Sequence, residues 1–136
     1  MDGEAKPIFL APMAGVTDLA YRILARECGA DVTVTEFTAA SGLTRRNTYS
    51  WLKVETDPRE YPFIPQIFGG ITEEMVQTVE MLQDRADVID INFGCPAPKV
   101  CRNDAGAALL RDPDRVVDMV RKCIEVARVP ITVKMR

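Results

Sequence analysis

The sequence predicts an α/β protein in which about five parallel strands alternate with helices. Short apolar runs rich in β-branched residues alternate with longer amphipathic stretches, and no internal repeat or linker divides them. Such alternation is typical of a parallel sheet covered by helices. Because 136 residues suffice for one substantial core but not for two, we expect residues 1–136 to form a single domain.

Five segments have the composition of buried strands. The second is β-branched at nearly every position, whereas the third contains Pro65 and is expected to be irregular. The predicted strands are 8–11, 32–37, 63–68, 87–92 and 131–135.

Three amphipathic stretches predict the main helices. The first begins at Thr17 or Asp18 and continues to about Cys28, the second begins at Thr72, and the third covers 112–127. A short helix is expected at 39–43 and a long loop through 45–58. The residues expected to face inward are Leu19, Ala20, Ile23 and Leu24 on the first helix, Met75, Val76, Val79 and Leu82 on the second, and Val116, Val117, Val120 and Ile124 on the third.

Polar side chains lie on one face of strands that should be buried. Asp90 and Asn92 share a side of the fourth strand, Lys134 lies on the polar side of the fifth, and Gln66 can point the same way. Parallel strands buried on both faces are normally apolar throughout, so this pattern favours an interior site near the catalytic end of a barrel. Two roles stay open for Lys134: it faces an anionic or electron-rich ligand, or it pairs with Asp90.

Cys95 follows the fourth strand, where ligands collect in α/β proteins. The chain contains no histidine, so a Cys-His nucleophile pair is excluded within it. Cysteine is mostly a thiol at neutral pH, and a proton donor therefore fits better than a nucleophile, although a packing role stays open. Asn92 suits the edge of an amide or pyrimidine, but anchoring the next loop is the simpler interpretation.

Composition argues against several other classes of protein. Apolar runs are too short to cross a membrane, and the first residues do not resemble a signal peptide, which predicts a cytoplasmic protein. No metal site is expected, and Cys28 and Cys123 are interpreted as small core residues. The net charge of −3 does not indicate a nucleic-acid-binding surface, and the basic pair Arg45 and Arg46 is more often solvated surface.

The chain resembles the tRNA-dihydrouridine synthases, flavoenzymes with an N-terminal (β/α)8 TIM barrel. The resemblance extends from residue 8 to the last residue, with the segments in the family's order and spacing. The matching segments are 10–18, 65–69, 90–96, 99–100, 106–110 and 133–136.

The resemblance implies a cofactor, a substrate and roles for particular residues. FMN would lie over the strand ends, with NADPH or NADH as reductant, and tRNA would be the substrate. A hydride from reduced flavin would reach C6 of a uracil unstacked from the tRNA, while Cys95 protonates C5. The residues implied are Pro12, Met13, Gln66 and Lys134 for the flavin, Asn92 for the uracil, and Lys99 and Arg102 for tRNA phosphates.

A complete barrel of this type needs about 250 residues. We therefore expect a partial TIM barrel that lacks the last three strands and the family's tRNA-binding helical domain. A half-barrel leaves strand edges open, so we expect a fragment, a truncated gene product, or a half-barrel that is completed as a homodimer. The alternatives are a non-catalytic, self-associating half-barrel and a related FMN barrel for free pyrimidines, such as a dihydroorotate or dihydropyrimidine dehydrogenase.

Overall fold

The computed structural model describes residues 6–136 and confirms an α/β fold in which parallel strands alternate with helices. The strands are β1 (Phe9–Leu10), β2 (Val32–Thr33), β3 (Thr38–Ala39), β4 (Gln66–Phe68), β5 (Ile89–Asn92) and β6 (Ile131–Lys134). The helices are α1 (Leu19–Glu27), α2 (Ala40–Thr44), α3 (Thr48–Lys53), α4 (Thr72–Leu82), α5 (Pro98–Cys101) and α6 (Pro113–Val126), and Gly106–Arg111 form a 3₁₀ helix. The N-terminal residues Met1–Glu4, used to predict the compartment, lie outside the described residues.

The strands form two parallel sheets whose neighbours follow chain order. β1 pairs with β2, and the second sheet has the order β3-β4-β5-β6. Gln66 is opposite Asp90, and Asn92 is opposite Lys134. Since all pairs are parallel, the carboxyl ends of β4, β5 and β6 lie side by side.

The second predicted strand, 32–37, is interrupted. β2 and β3 are separated by residues 34–37, where the Thr35 side chain takes the place of a backbone carbonyl as a hydrogen-bond acceptor for the neighbouring chain segment. Its hydroxyl oxygen accepts from the Gln66 N–H at 2.9 Å and donates to the Glu36 carbonyl at 3.0 Å. Hydroxyls compete with backbone pairing in this way, so a β-branched run does not become one continuous strand.

The hydrophobic core lies between the four-stranded sheet and the helices α2, α4 and α6. Ile89 and Ile91 of β5 are fully buried in one cluster with the predicted inward residues of α4. The α4 residues of this cluster are Met75, Val79 and Leu82, with the half-buried Val76 packed against them.

The other two long helices bury narrower faces than predicted. Leu24 on α1 is 56% exposed, and Val117 and Ile124 on α6 are each 55% exposed. On α1, Ile23 is buried as predicted, and the second buried residue is Arg22, which was not expected to face inward. Apolar spacing identifies one side of a helix, but the width of the buried strip depends on which elements lie beside it.

Two further local predictions are wrong. The predicted loop 45–58 contains α3, which begins after Asn47, whose side chain accepts from the Ser50 N–H at 3.1 Å. Asn is a strong N-cap residue, so Asn47 is the local sequence signal for this helix. Cys28 is exposed because it lies just beyond the last turn of α1, whereas Cys123 is buried as expected.

A buried ion pair joins α1 to the segment before β4. Arg22 Nε lies 2.5 Å from Glu60 Oε1, and both side chains are almost completely buried. The Glu60 carboxylate also accepts from the hydroxyls of Thr33, at 2.9 Å, and Thr56, at 3.1 Å, while Arg22 donates to the Thr17 carbonyl at 2.8 Å. These additional partners make the burial of two charges tolerable.

No helix within residues 6–136 has the length and apolar character needed to span a membrane.

Replacing Arg22 by alanine leaves the Glu60 carboxylate buried without its countercharge. We expect this to lower the free energy of unfolding by about 3–5 kcal/mol, measured by urea denaturation. The control is Arg128→Ala, which removes an exposed ion pair with Asp84 and should cost less than about 1 kcal/mol. Equal losses in the two variants would contradict the role of the buried pair.

Burial raises the pKa of the Cys123 thiol from 9.0 to about 11. The unfolded chain therefore releases this proton at lower pH than the folded chain, and stability should fall as the pH rises from 9.0 to about 11. Comparing urea unfolding of the wild type with Cys123→Ala over this range isolates the contribution. The wild type should lose more stability, and parallel pH profiles would argue against it.

Candidate functional site

A buried polar network crosses β4, β5 and β6. The fully buried Gln66 donates through Nε2 to Asp90 Oδ2 at 2.5 Å, and its Oε1 accepts from Asn92 Nδ2 at 2.9 Å. Asp90 Oδ1 accepts from the Thr132 hydroxyl at 2.6 Å. Gln66, Asp90 and Asn92 therefore share one face, as their spacing predicts. Within residues 6–136, no fully buried side-chain nitrogen or oxygen lacks a hydrogen-bond partner.

Lys134 is placed beside this network but does not belong to it. No ion pair joins it to Asp90, so that alternative is wrong: both Asp90 oxygens already accept from Gln66 and Thr132. The side chain is also exposed rather than buried, since β6 has a strand neighbour on one side only. Its ammonium group is therefore accessible at the carboxyl end of β6, opposite Asn92.

Asn92 anchors the loop that carries Cys95. Its Oδ1 accepts from the N–H groups of Gly94, at 3.1 Å, and Cys95, at 2.9 Å. The Phe93 N–H donates to the Lys134 carbonyl at 2.9 Å, which ties the same loop to the end of β6. The simpler interpretation of Asn92 is thus supported, and one of its two amide protons is still available for a ligand.

The other side of the Cys95 loop rests on Gly106. This glycine has φ +59°, and a Cβ there would lie 2.7 Å from the Cys95 carbonyl oxygen and 2.8 Å from Val100 Cγ1. The same carbonyl accepts from the Ala107 N–H at 3.0 Å and from the Cys101 thiol at 3.6 Å. The half-buried Cys95 is therefore held from both sides.

A cleft of about 860 Å³ opens beside this loop. Its walls include Lys99 and Asn103 on one side and Tyr49 and Lys53 on the other. Arg102 lies three residues after Lys99, at the end of α5, and is exposed outside the lining of the cleft.

Pro12 and Met13 lie in the turn that follows β1. The Met13 carbonyl accepts from the N–H groups of Val16, at 3.1 Å, and Thr17, at 3.0 Å, and the Met13 N–H donates to Thr17 Oγ1 at 3.0 Å. Thr17 is fully buried and closes this turn, while Asp18 caps α1. The Met13 side chain is partly exposed on this turn.

Sequence reasoning missed Glu36, a buried carboxylate in the segment between β2 and β3. Its Oε2 accepts from the Gly15 N–H at 2.5 Å and lies 3.4 Å from Lys53 Nζ. An acidic residue at the end of a β-branched run was the available signal. In the described part of the chain, no group of three or more His, Cys, Asp or Glu side chains is close enough together to hold a metal ion.

Comparison with known proteins identifies the family. The family model described as "Dihydrouridine synthase (Dus)" matches residues 9–136. The chain belongs to the dihydrouridine synthase family. Its Cys95 loop, Gln66 and Lys134 all lie within the matched region.

Relatives in the dihydrouridine synthase family are longer than this chain. The "Probable tRNA-dihydrouridine synthase" of Rhizobium leguminosarum bv. phaseoli is 38% identical over 130 residues, which cover 95% of this chain and 41% of the relative. The "tRNA-dihydrouridine synthase B" of Pseudomonas aeruginosa is 39% identical over 133 residues, covering 95% and 39%. A probable tRNA-dihydrouridine synthase of Aquifex aeolicus is 37% identical over 141 residues, covering 100% and 44%. The chain thus spans about two fifths of the length of these curated relatives.

Replacing Gly106 by alanine should displace the Cys95 loop as well as strain the backbone. The control is Gly29→Ala, which also has a positive φ, +102°, but has open space at its Cβ. Each change should cost at least about 1–2 kcal/mol for the backbone conformation. Only Gly106→Ala should also change the rate at which Cys95 reacts with an alkylating reagent, followed by mass spectrometry. An unchanged Cys95 rate would show that the close approach does not position this loop.

Proposed function

We propose that this chain is the N-terminal part of the FMN-binding catalytic domain of a tRNA-dihydrouridine synthase, folded as part of a (β/α)8 TIM barrel. The supporting observation is the Asn92 anchor, which holds the Cys95 loop at the carboxyl ends of parallel strands. Active sites of such barrels lie at that end. The reaction is the reduction of uridine in tRNA to 5,6-dihydrouridine, and a tRNA substrate is consistent with a cytoplasmic location.

The residues at the strand ends fit one edge of FMN. Lys134 offers an exposed ammonium group that suits a ring position gaining negative charge, and the turn at Pro12 and Met13 offers backbone and a partly exposed side chain. Gln66 is fully buried, so it supports the flavin site indirectly, by holding Asn92 and Asp90 in place. FMN, when bound and reduced by NADPH or NADH, supplies the hydride that is added to C6 of the uracil.

Cys95 supplies the proton that is added to C5. Its thiol loses that proton to the substrate carbon, becomes a thiolate and recovers a proton from solvent, which reaches this half-buried residue. The free amide proton of Asn92 donates to a uracil carbonyl and orients the ring. The uridine has to leave the tRNA stack to reach these groups.

Contacts with tRNA and with further protein belong to the same proposal. Lys99 at the cleft would bind a phosphate close to the target nucleotide, and Arg102 a more distant one. An apolar groove of about 390 Å³ between β6 and α6, which includes Val117, Ile124 and Met135, is open to packing by another part of a barrel. The homodimer that would complete the barrel stays a prediction, which light scattering can test.

Replacing Cys95 by alanine removes the proposed proton donor. We expect dihydrouridine formation in tRNA, measured by mass spectrometry, to fall by at least about a hundredfold, while FMN stays bound. The control is Cys28→Ala, which removes an exposed thiol at the end of α1 and should leave the rate unchanged.

Three outcomes would argue against this function. A wild-type rate in Cys95→Ala would exclude Cys95 as the proton donor. Reduction of free uracil or orotate in place of tRNA would favour the pyrimidine dehydrogenase alternative. A wild-type chain that retains no FMN after desalting would favour the non-catalytic half-barrel.

A further inference from the structure

We propose that Glu36 is a positioning residue for the flavin site, acting with Lys53 to hold the turn of residues 13–17 in place. This inference rests on the proposed function, because that turn carries Pro12 and Met13 towards the proposed flavin. Neither Glu36 nor Lys53 contacts the reacting atoms in this scheme.

Glu36 links the middle of the turn to the segment between β2 and β3. The hydrogen bond from the Gly15 N–H to Glu36 Oε2 measures 2.5 Å, and Glu36 is only 6% exposed. The other described hydrogen bonds of residues 13–16 join Met13, Val16 and Thr17 and stay within the turn. Arg22 holds the end of the turn through the Thr17 carbonyl, at 2.8 Å, whereas Glu36 holds its middle, at Gly15.

The backbone around Glu36 is itself fixed. The hydroxyls of Thr35, at 3.0 Å, and Thr38, at 3.2 Å, both donate to the Glu36 carbonyl. Thr35 also accepts from the Gln66 N–H, which connects the residue to β4 and to the network below Cys95. The carboxylate thus extends from a hydrogen-bonded segment between β2 and β3 to the Gly15 N–H in the middle of the turn.

Lys53 provides the countercharge that makes this burial possible. A carboxylate removed from water is costly unless it is paired or hydrogen-bonded. Lys53 Nζ lies 3.4 Å from Glu36 Oε2 and 5.0 Å from the centre of the Tyr49 ring, so two neighbours hold its position. Lys53 is the last residue of α3, and this short helix brings the ammonium group to Glu36.

A merely structural ion pair and a positioning pair make different predictions. Loss of a structural pair lowers overall stability. Loss of a positioning pair loosens the Gly15 amide and weakens flavin binding beyond any change in stability, because a small displacement of a contact surface is enough to weaken the contacts it makes.

The test uses the 136-residue chain with Glu36→Ala and Glu36→Gln. Hydrogen exchange of the Gly15 amide, followed by NMR without flavin, should be at least about tenfold faster in Glu36→Ala, and the FMN dissociation constant, from fluorescence quenching, about tenfold higher. Glu36→Gln keeps an acceptor for the Gly15 N–H and should show intermediate values. The control is Glu74→Gln. It removes a carboxylate on α4 that is paired with Arg45, and it does not contact the turn.

The outcomes separate this inference from the proposed function. Unchanged Gly15 exchange in Glu36→Ala would overturn the link between Glu36 and the turn. Faster exchange with unchanged FMN affinity would overturn its role in flavin binding. A wild-type chain that binds no FMN would overturn the proposed function and this inference with it, whatever the exchange data show.

Urea unfolding provides the check on folding. If Glu36→Ala fails to fold, Glu36→Gln and Lys53→Met decide the matter, because each removes the charge pair and retains an acceptor for Gly15. FMN binding as tight as that of the wild type in both would overturn the proposal.

Discussion

The structure depends on satisfying the buried polar groups on its central strands. Gln66 is fully buried, and an amide in that position is tolerated only when its polar atoms are hydrogen-bonded. Asp90 and Asn92 provide these bonds, and Thr132 binds the remaining Asp90 oxygen. Because the bonds cross three strands, they favour one register, and this register determines where the Cys95 loop begins.

The segment from β2 to β3 has a similar role on the other side of the molecule. It binds one buried carboxylate and provides another, since Thr33 donates to Glu60 while Glu36 accepts from the turn after β1. Each carboxylate has a basic partner, Arg22 on α1 and Lys53 on α3. The helices therefore pack against an interrupted strand through charges as well as through apolar contacts, and both sides of the site are held by paired groups.

The proposed chemistry follows from the rigid placement of one thiol. Cys95 has its N–H bound by Asn92 and its carbonyl bound from the 3₁₀ helix, where Gly106 permits a close approach. Proton donation to a carbon atom requires a thiol held at a defined distance from the substrate, and the bonds to the Cys95 N–H and carbonyl fix the backbone from which the thiol extends. Membership of the dihydrouridine synthase family agrees with such a role, while the relatives' greater length leaves the complete reaction as a proposal.

The sequence by itself determined the alternation of strands and helices, the buried face of α4, and the shared face of Gln66, Asp90 and Asn92. These features follow from local periodicity, because side chains alternate along a strand and recur every three or four residues along a helix. Asn92 as a loop anchor was also accessible, since the residues that it binds are two and three positions away.

Only the tertiary structure decided which groups meet across the chain. Glu36 binds a turn 21 positions earlier in the chain. Asp90 binds Thr132, which lies 42 positions later, and does not bind Lys134. Lys134 is exposed because β6 has a strand neighbour on one side only, and Val117 is exposed because no described element covers that side of α6. Periodicity contains no information about such neighbours, so partner choice and the width of each buried face could be read only from the folded chain.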